Sequence, residues 1–281
     1  MKRITRRRFM KAAAGVVVGG VGMVSYARWV EPHWVRWFHR ELPIRNLPDA
    51  LVGKTLVQAS DLHVGPRVSD GYLMETFDRI GELEPDVFVV TGDFVTFRGP
   101  NRFEKLARVL EHTPRGRIAT LGVLGNHDYG HHWEDATTAE RVSERVTGAG
   151  FTLLRNETVD VMGLAVTGMD DLWARQIDVA GALAGIGEEA RLVLCHHPEG
   201  VDESGWQGYV GWVLSGHTHG GQCKPPFLPP PLLPVRNRRY VAGEVGLADG
   251  RRVYINRGLG HLLKARFNVR PEVTVFTLAR G

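Results

Sequence analysis

Apolar and polar positions follow a repeating order along most of this chain: a short apolar run, a compact polar cluster, then a segment with helical spacing. Residues 56–60 form the first run and empty into Asp61-Leu62-His63. Leu73, Phe77, Ile80 and Leu83 recur at helical intervals, which predicts an amphipathic helix packed on a sheet. Residues 87–90 are apolar throughout, as expected of a strand buried on both faces, and end in Thr91-Gly92-Asp93. Asn101 and Glu104 predict a capping box for the next helix, with Phe103, Leu106, Val109 and Leu110 as its apolar face. The run at 118–124 delivers Gly125-Asn126-His127-Asp128, and Thr137 with Glu140 predicts a further capped helix ending near Gly148. Short strands are expected at 151–154, 159–161 and 164–167. Residues 192–194 lead into Cys195-His196-His197-Pro198, and 210–214 into Gly216-His217-Thr218-His219-Gly220-Gly221-Gln222.

This alternation predicts an α/β fold, in which binding sites gather at the carboxyl ends of the strands. Every polar cluster named above sits at such an end, so Asp, Asn and His side chains from five strands can meet in one crevice. His217 and His219 would point to opposite faces of a straight strand, and the flanking glycines are expected to curl the loop and aim both at one place. Imidazoles gathered with carboxylates favour a bound transition metal or zinc.

The chain has 281 residues with a net charge of +4. Lys2, Arg3, Arg6, Arg7, Arg8 and Lys11 more than account for that excess, so the body is nearly neutral and no nucleic-acid partner is expected. Two cysteines, Cys195 and Cys223, exclude a disulfide scaffold and are read as free buried thiols, with a bridge as the alternative.

Residues 5–11 resemble a twin-arginine export signal, and residues 12–27 are uncharged and rich in Ala, Gly and Val. That stretch is short and weakly apolar for a membrane span and fits a signal core, with a membrane anchor as the other reading. Residues 1–27 are therefore assigned as a signal or membrane segment, recognised by the twin-arginine export machinery. Residues 28–49 place Trp29, Trp34, Trp37 and Phe38 among cations, which suits either a membrane interface or a linker packed on the domain. Pro43 and Pro48 mark a boundary, and the catalytic domain is expected to occupy 50–281.

Asp61-x-His63, Gly92-Asp93, Gly125-Asn126-His127-Asp128, His196 and Gly216-His217-x-His219 together resemble the signature of the calcineurin-like metallophosphoesterases. The leader, Gly220-Gly221-Gln222 and Arg257-Gly258-Leu259-Gly260 resemble its exported, membrane-associated bacterial branch. The resemblance implies four layers, with two mixed β-sheets face to face and helices outside. It implies two divalent ions (Mn, Fe or Zn), one held by Asp61, His63 and His219, the other by Asn126, His196 and His217, with Asp93 between them. His196 is preferred to His197 because the family pattern leaves one residue before Pro198. His127 is implied as the catalytic group near the phosphate, and Asp128 either orients His127 or caps a helix.

The expected activity is hydrolysis of phosphodiester or diphosphate bonds outside the cytoplasmic membrane, on phospholipid or envelope phosphodiesters. A UDP-2,3-diacylglucosamine diphosphatase is one alternative, although nucleotide-linked precursors are cytosolic. A non-catalytic, metal-dependent binder of an envelope phosphate polymer is another. The stretch 225–234, rich in proline and apolar residues, cannot enter a sheet interior. It suits either a wall that receives a lipid or a packed connector.

Overall fold

A computed structural model describes residues 5–281. The expectations placed on Lys2 and Arg3 lie outside the described residues. Helix α1 (Arg6–Ser25) continues through a π-helical turn and a 3-10 turn to His33. The stretch Phe9–His33 has 25 residues and is long and apolar enough to cross a bilayer; its apolar part is uncovered by the rest of the protein, whereas Glu31 and Pro32 near its end are buried. A signal sequence has the same properties. The helix is longer than residues 12–27 because the charges beyond Ala27 do not interrupt it.

The body is built on two six-stranded mixed sheets. The first carries β1 (Arg36–Ile44), β2 (Thr55–Ala59), β3 (Val87–Thr91), β4 (Ala119–Val123), β5 (Thr152–Leu153) and, near the carboxyl terminus, β12 (Glu272–Arg280). Their order is β1-β12-β2-β3-β4-β5, with only β12 antiparallel to β2. The second sheet holds β6 (Glu157–Val161), β7 (Leu164–Gly168), β8 (Ala190–Leu194), β9 (Trp212–Ser215), β10 (Gly243–Gly246) and β11 (Arg252–Ile255), in the order β10-β11-β9-β8-β7-β6. Helices α2 (Asp70–Gly81), α3 (Arg102–Leu110) and α4 (Ala136–Gly148) cover the outer face of the first sheet. The outer face of the second sheet is closed by short α5 (Val179–Ala182) with Trp206, Tyr209 and Tyr240. The expected pair of mixed sheets flanked by helices is therefore present.

Strand periodicity accounts for the layering. In β3, Val87 and Val89 face the core between the sheets, whereas Phe88 and Val90 face the helices. Both faces are buried, which is why the run reads as continuously apolar. Ser69 caps α2 by accepting the Tyr72 amide, and Asp135 caps α4 by accepting that of Thr138. The box predicted at Asn101 does not form: its backbone is left-handed (φ 53°) and its side chain makes no capping bond.

Part of the segment expected as a linker is a strand. Residues of β1 pair in parallel with β12 from Arg36 opposite Glu272 to Ile44 opposite Arg280. The sequence hides it because β1 is an edge strand, polar along much of its length and interrupted by Pro43, which an edge tolerates. Leu42 and Ile44 nevertheless enter the core between the sheets, and Trp37 packs on the helical side under the Arg79 guanidinium. Leu42→Ala should therefore destabilise the fold by about 2–5 kcal/mol, read as a lower urea midpoint. An unchanged midpoint would remove β1 from the folded body.

Candidate metal centre

Five strand ends converge at one end of the sandwich. The loop after β2 brings Asp61 and His63, that after β3 brings Asp93, and that after β4 brings Asn126, His127 and Asp128. The loop after β8 contributes His196, and that after β9 contributes His217 and His219. All nine side chains are buried or nearly so, and His127, 7% exposed, is the most accessible of them.

The backbone there is unusual. Asp61, His63, Asp93, His217 and His219 all have positive φ, between 48° and 69°. Such conformations cost on the order of 1 kcal/mol or more each and persist only where the surroundings enforce them. Here the Asp61 amide donates to the Gly92 carbonyl (3.0 Å) and the His63 amide to that of Asp93 (2.9 Å). The His217 amide donates to the Asp61 carboxylate (3.1 Å), and the His127 amide to Asp93 Oδ1 (2.8 Å). His217 and His219 therefore share the turn with Gly220 and Gly221, whose φ values are 60° and 79°. Gly216 is required for a different reason: a Cβ there would lie 1.9 Å from Ser60 Oγ and 2.4 Å from Asp61 Oδ2.

The side chains form three overlapping groups: Asp61, His63 and His219; His63, Asp93 and His127; and Asp61, Asp93 and His196. His63 Nε2 lies 2.9 Å from His219 Nε2 and 3.4 Å from Asp93 Oδ2. His219 Nε2 is 3.3 Å from Asp61 Oδ1, and His196 Nε2 is 3.3 Å from Asp93 Oδ2. Asn126 and His217 stand slightly apart and meet each other, with His217 Nδ1 3.0 Å from Asn126 Oδ1.

Two of these contacts favour a cation. His196 Nδ1 lies 2.7 Å from the Thr91 carbonyl, which accepts only if the proton is on Nδ1. That leaves the Nε2 lone pair buried and without a hydrogen-bond partner, aimed at the carboxylates, the usual orientation of a metal-bound imidazole. In the same way His217 Nε2 donates to the Pro234 carbonyl at 2.9 Å, so Nδ1 turns a lone pair toward the Asn126 oxygen. Burial, with His197 and His196 nearby, holds His217 neutral by lowering its pKa well below the ordinary value. Two lone pairs facing each other at 3.0 Å suit a shared cation and repel without one. The residues present fit a metal.

The electrostatics agree. Burial alone would raise the pKa of Asp61, but His219, His196 and the Ser60 hydroxyl hold it down at about 2. Asp93 is depressed further: His196 and His127 outweigh its burial. The His196 pKa rises despite burial, driven by Asp93. The ionised carboxylates thus favour positive charge beside them, which a bound metal would supply.

Of the adjacent histidines, His196 reaches the carboxylates. His197 accepts the Glu199 amide on Nδ1 (3.3 Å) and packs its ring on His217 and Trp173. Asp128 does not hold the His127 ring. Its carboxylate accepts the Gly125 and Val95 amides (2.9 and 3.0 Å), tying the loops after β3 and β4 together. Burial, together with Asp93, pushes its pKa up to about 8. The ring of His127 packs instead on His63 and Phe97. Cys195 and Cys223 are both free.

Arg266 escaped the sequence reading. It is fully buried, donates to the carbonyls of Arg257, Gly258 and Gly260, and lies 3.3 Å from His219 Nδ1. No sequence pattern sets it apart, since Lys264, Asn268 and Arg270 stand within four residues of it.

Two sandwiched mixed sheets with buried carboxylates and imidazoles at adjoining strand ends define a class, the metal-dependent hydrolases of phosphoric esters. Residues 54–221 match the family model described as calcineurin-like phosphoesterase, and the chain belongs to that family. It is 32% identical to an uncharacterized metallophosphoesterase, YkuE, of Bacillus subtilis, covering 99% of each chain. It is 31% identical to the phosphodiesterase YaeI of Escherichia coli, over 98% of this chain and 99% of that one. It is also 27% identical to the UDP-2,3-diacylglucosamine pyrophosphatase LpxG of Chlamydia trachomatis, over 81% of this chain and 85% of the other.

Asp93→Asn and His196→Ala should each lower the metal content of the purified chain at least twofold by elemental analysis, whereas His197→Ala should keep it. Equal losses in all three would mean that His197, not His196 alone, serves the metals.

Proposed function

We propose that this chain is a membrane-held phosphoesterase that hydrolyses phosphodiester or diphosphate bonds at the outer face of the cytoplasmic membrane, after twin-arginine export. The observation that carries this reading is the junction between α1 and the metal centre. The Arg266 amide donates to the Ala27 carbonyl at the end of the apolar helix, while the Arg266 guanidinium reaches His219. Buried Glu31 adds a second tie by accepting the Val269 amide at 2.6 Å. This junction supports a placement in which a bilayer holding α1 lies beside the site.

In this reading Asp61, His63 and His219 would hold one divalent ion and Asn126, His196 and His217 the other, with Asp93 available to both. When bound, Mn, Fe or Zn would supply a nucleophile ionised near neutral pH and positive charge for the phosphate oxygens. Burial lowers the His127 pKa, and the nearby Asp93 carboxylate opposes that shift by favouring the imidazolium. As the most accessible ring of the cluster, His127 is placed to hydrogen-bond a phosphate oxygen and, as the imidazolium, to give its proton to the leaving oxygen as the bond to phosphorus breaks. Asp128 keeps the loop carrying His127 in place without touching substrate.

The activity of the Escherichia coli relative supports a phosphodiester substrate. A lipid-linked diphosphate is the second reading, favoured by the Chlamydia relative, whose name gives that reaction class.

The test uses the full chain in detergent, stripped and reloaded with Mn, Fe or Zn, on bis-p-nitrophenyl phosphate beside p-nitrophenyl phosphate. Metal-dependent cleavage of the diester is expected, with His127→Ala lowering kcat by about 10²–10⁴ while metal remains bound. Absence of turnover with metal bound would exclude a general diesterase and direct the search to lipid diphosphates.

A further inference from the structure

Loop 225–234 follows the metal loop directly, and its base is fixed while its tip is not. Pro230 is buried against Gly221, where an added Cβ would lie 2.2 Å from the proline. The Pro230 carbonyl accepts from Arg238 (2.5 Å), and the Pro234 carbonyl from His217 (2.9 Å). Between and before these points the side chains face outward: Phe227 is fully exposed, and Leu228 and Leu232 are 59% and 66% exposed. Leu263, 51% exposed, lies beside the residues that lead into the loop, because Gln222 donates to the Leu263 carbonyl (2.8 Å) and accepts the Leu262 amide (3.0 Å). Prolines stiffen this loop, so it holds the apolar tip away from the body instead of collapsing onto it.

The same end of the molecule receives the apolar helix. Leu263 is three residues from Arg266, whose amide holds the Ala27 carbonyl, and Trp29 and Val30 are exposed just beyond that point. Exposed cations Arg28, Lys224 and Lys264 flank the apolar residues. Apolar side chains rimmed by tryptophan and cations, at the foot of an uncovered apolar helix, match the boundary between acyl chains and anionic headgroups.

Resting on the phosphoesterase reading for the site it serves, we propose that Phe227, Leu228, Leu232 and Leu263 form a lip that enters the acyl region of the bilayer holding α1, and that the metal centre takes its phosphoester from an acylated lipid in that leaflet. The loop that carries the lip also contacts His217, so an acyl chain lying along it places the headgroup phosphate toward the metals.

The experiment uses the full chain in phospholipid vesicles, with an environment-sensitive fluorophore on Leu228→Cys in a Cys223→Ser background. Met162→Cys serves as the control: Met162 is exposed at the β6–β7 turn, at the opposite end of the second sheet from the metal loops. Nitroxide carried on the lipid acyl chains should quench the label at 228 at least threefold more strongly than that at 162. Equal quenching would overturn the lip, as would a label at 228 that only a protein partner protects. In the same vesicles, replacing Phe227, Leu228 and Leu232 by Ser should lower the ratio of lipid-diester to soluble-diester turnover at least tenfold. An unchanged ratio would overturn the lipid substrate. If the unaltered chain cleaves no soluble diester, the diesterase reading fails by itself, and the quenching still decides the lip.

Discussion

Two ionised carboxylates, Asp61 and Asp93, lie buried where the strand-end loops meet, and most of the surrounding structure compensates their charge. A buried carboxylate without partners costs several kcal/mol. Here amide donors from the loops after β4 and β9, the Ser60 hydroxyl and four imidazoles converge on the pair. Those donors reach only because five non-glycine residues accept left-handed backbone. The strain and the charge compensate each other: relax either, and the other loses its support.

The two sheets make such an arrangement possible. Parallel strands β2, β3 and β4 end side by side in one sheet, as β8 and β9 do in the other, and the face-to-face packing brings the two sets of loops together. Each loop is too short to bury a charge alone. Asp128 illustrates the consequence, since its carboxylate binds two loops of the first sheet to each other and makes no bond to the His127 ring.

Arg266 extends the same logic outward. A guanidinium fully buried among carbonyls gathers the turn at 257–260, the rear of His219 and, through its backbone, the end of α1. The region where the apolar helix meets the body is thereby continuous with the metal centre.

Much of this was legible from the chain alone. Apolar runs fixed strands β2, β3, β4, β8 and β9 within a residue or two, because strands buried on both faces leave an unambiguous pattern. The polar clusters at their ends placed Asp61, His63, Asp93, Asn126, His127, His196, His217 and His219 in one crevice, because neighbouring strands deliver their carboxyl-terminal loops to the same end of a sheet. Local pattern failed where a distant partner decided the outcome. Strand β1 exists because β12, more than two hundred residues later, offers it an edge. The role of Asp128 depended on which amides came within reach, and the difference between His196 and His197 on which ring faced the Thr91 carbonyl. Residue type determined what chemistry the chain carries; only the closure of one sheet upon the other decided which nitrogen, oxygen and carbonyl meet.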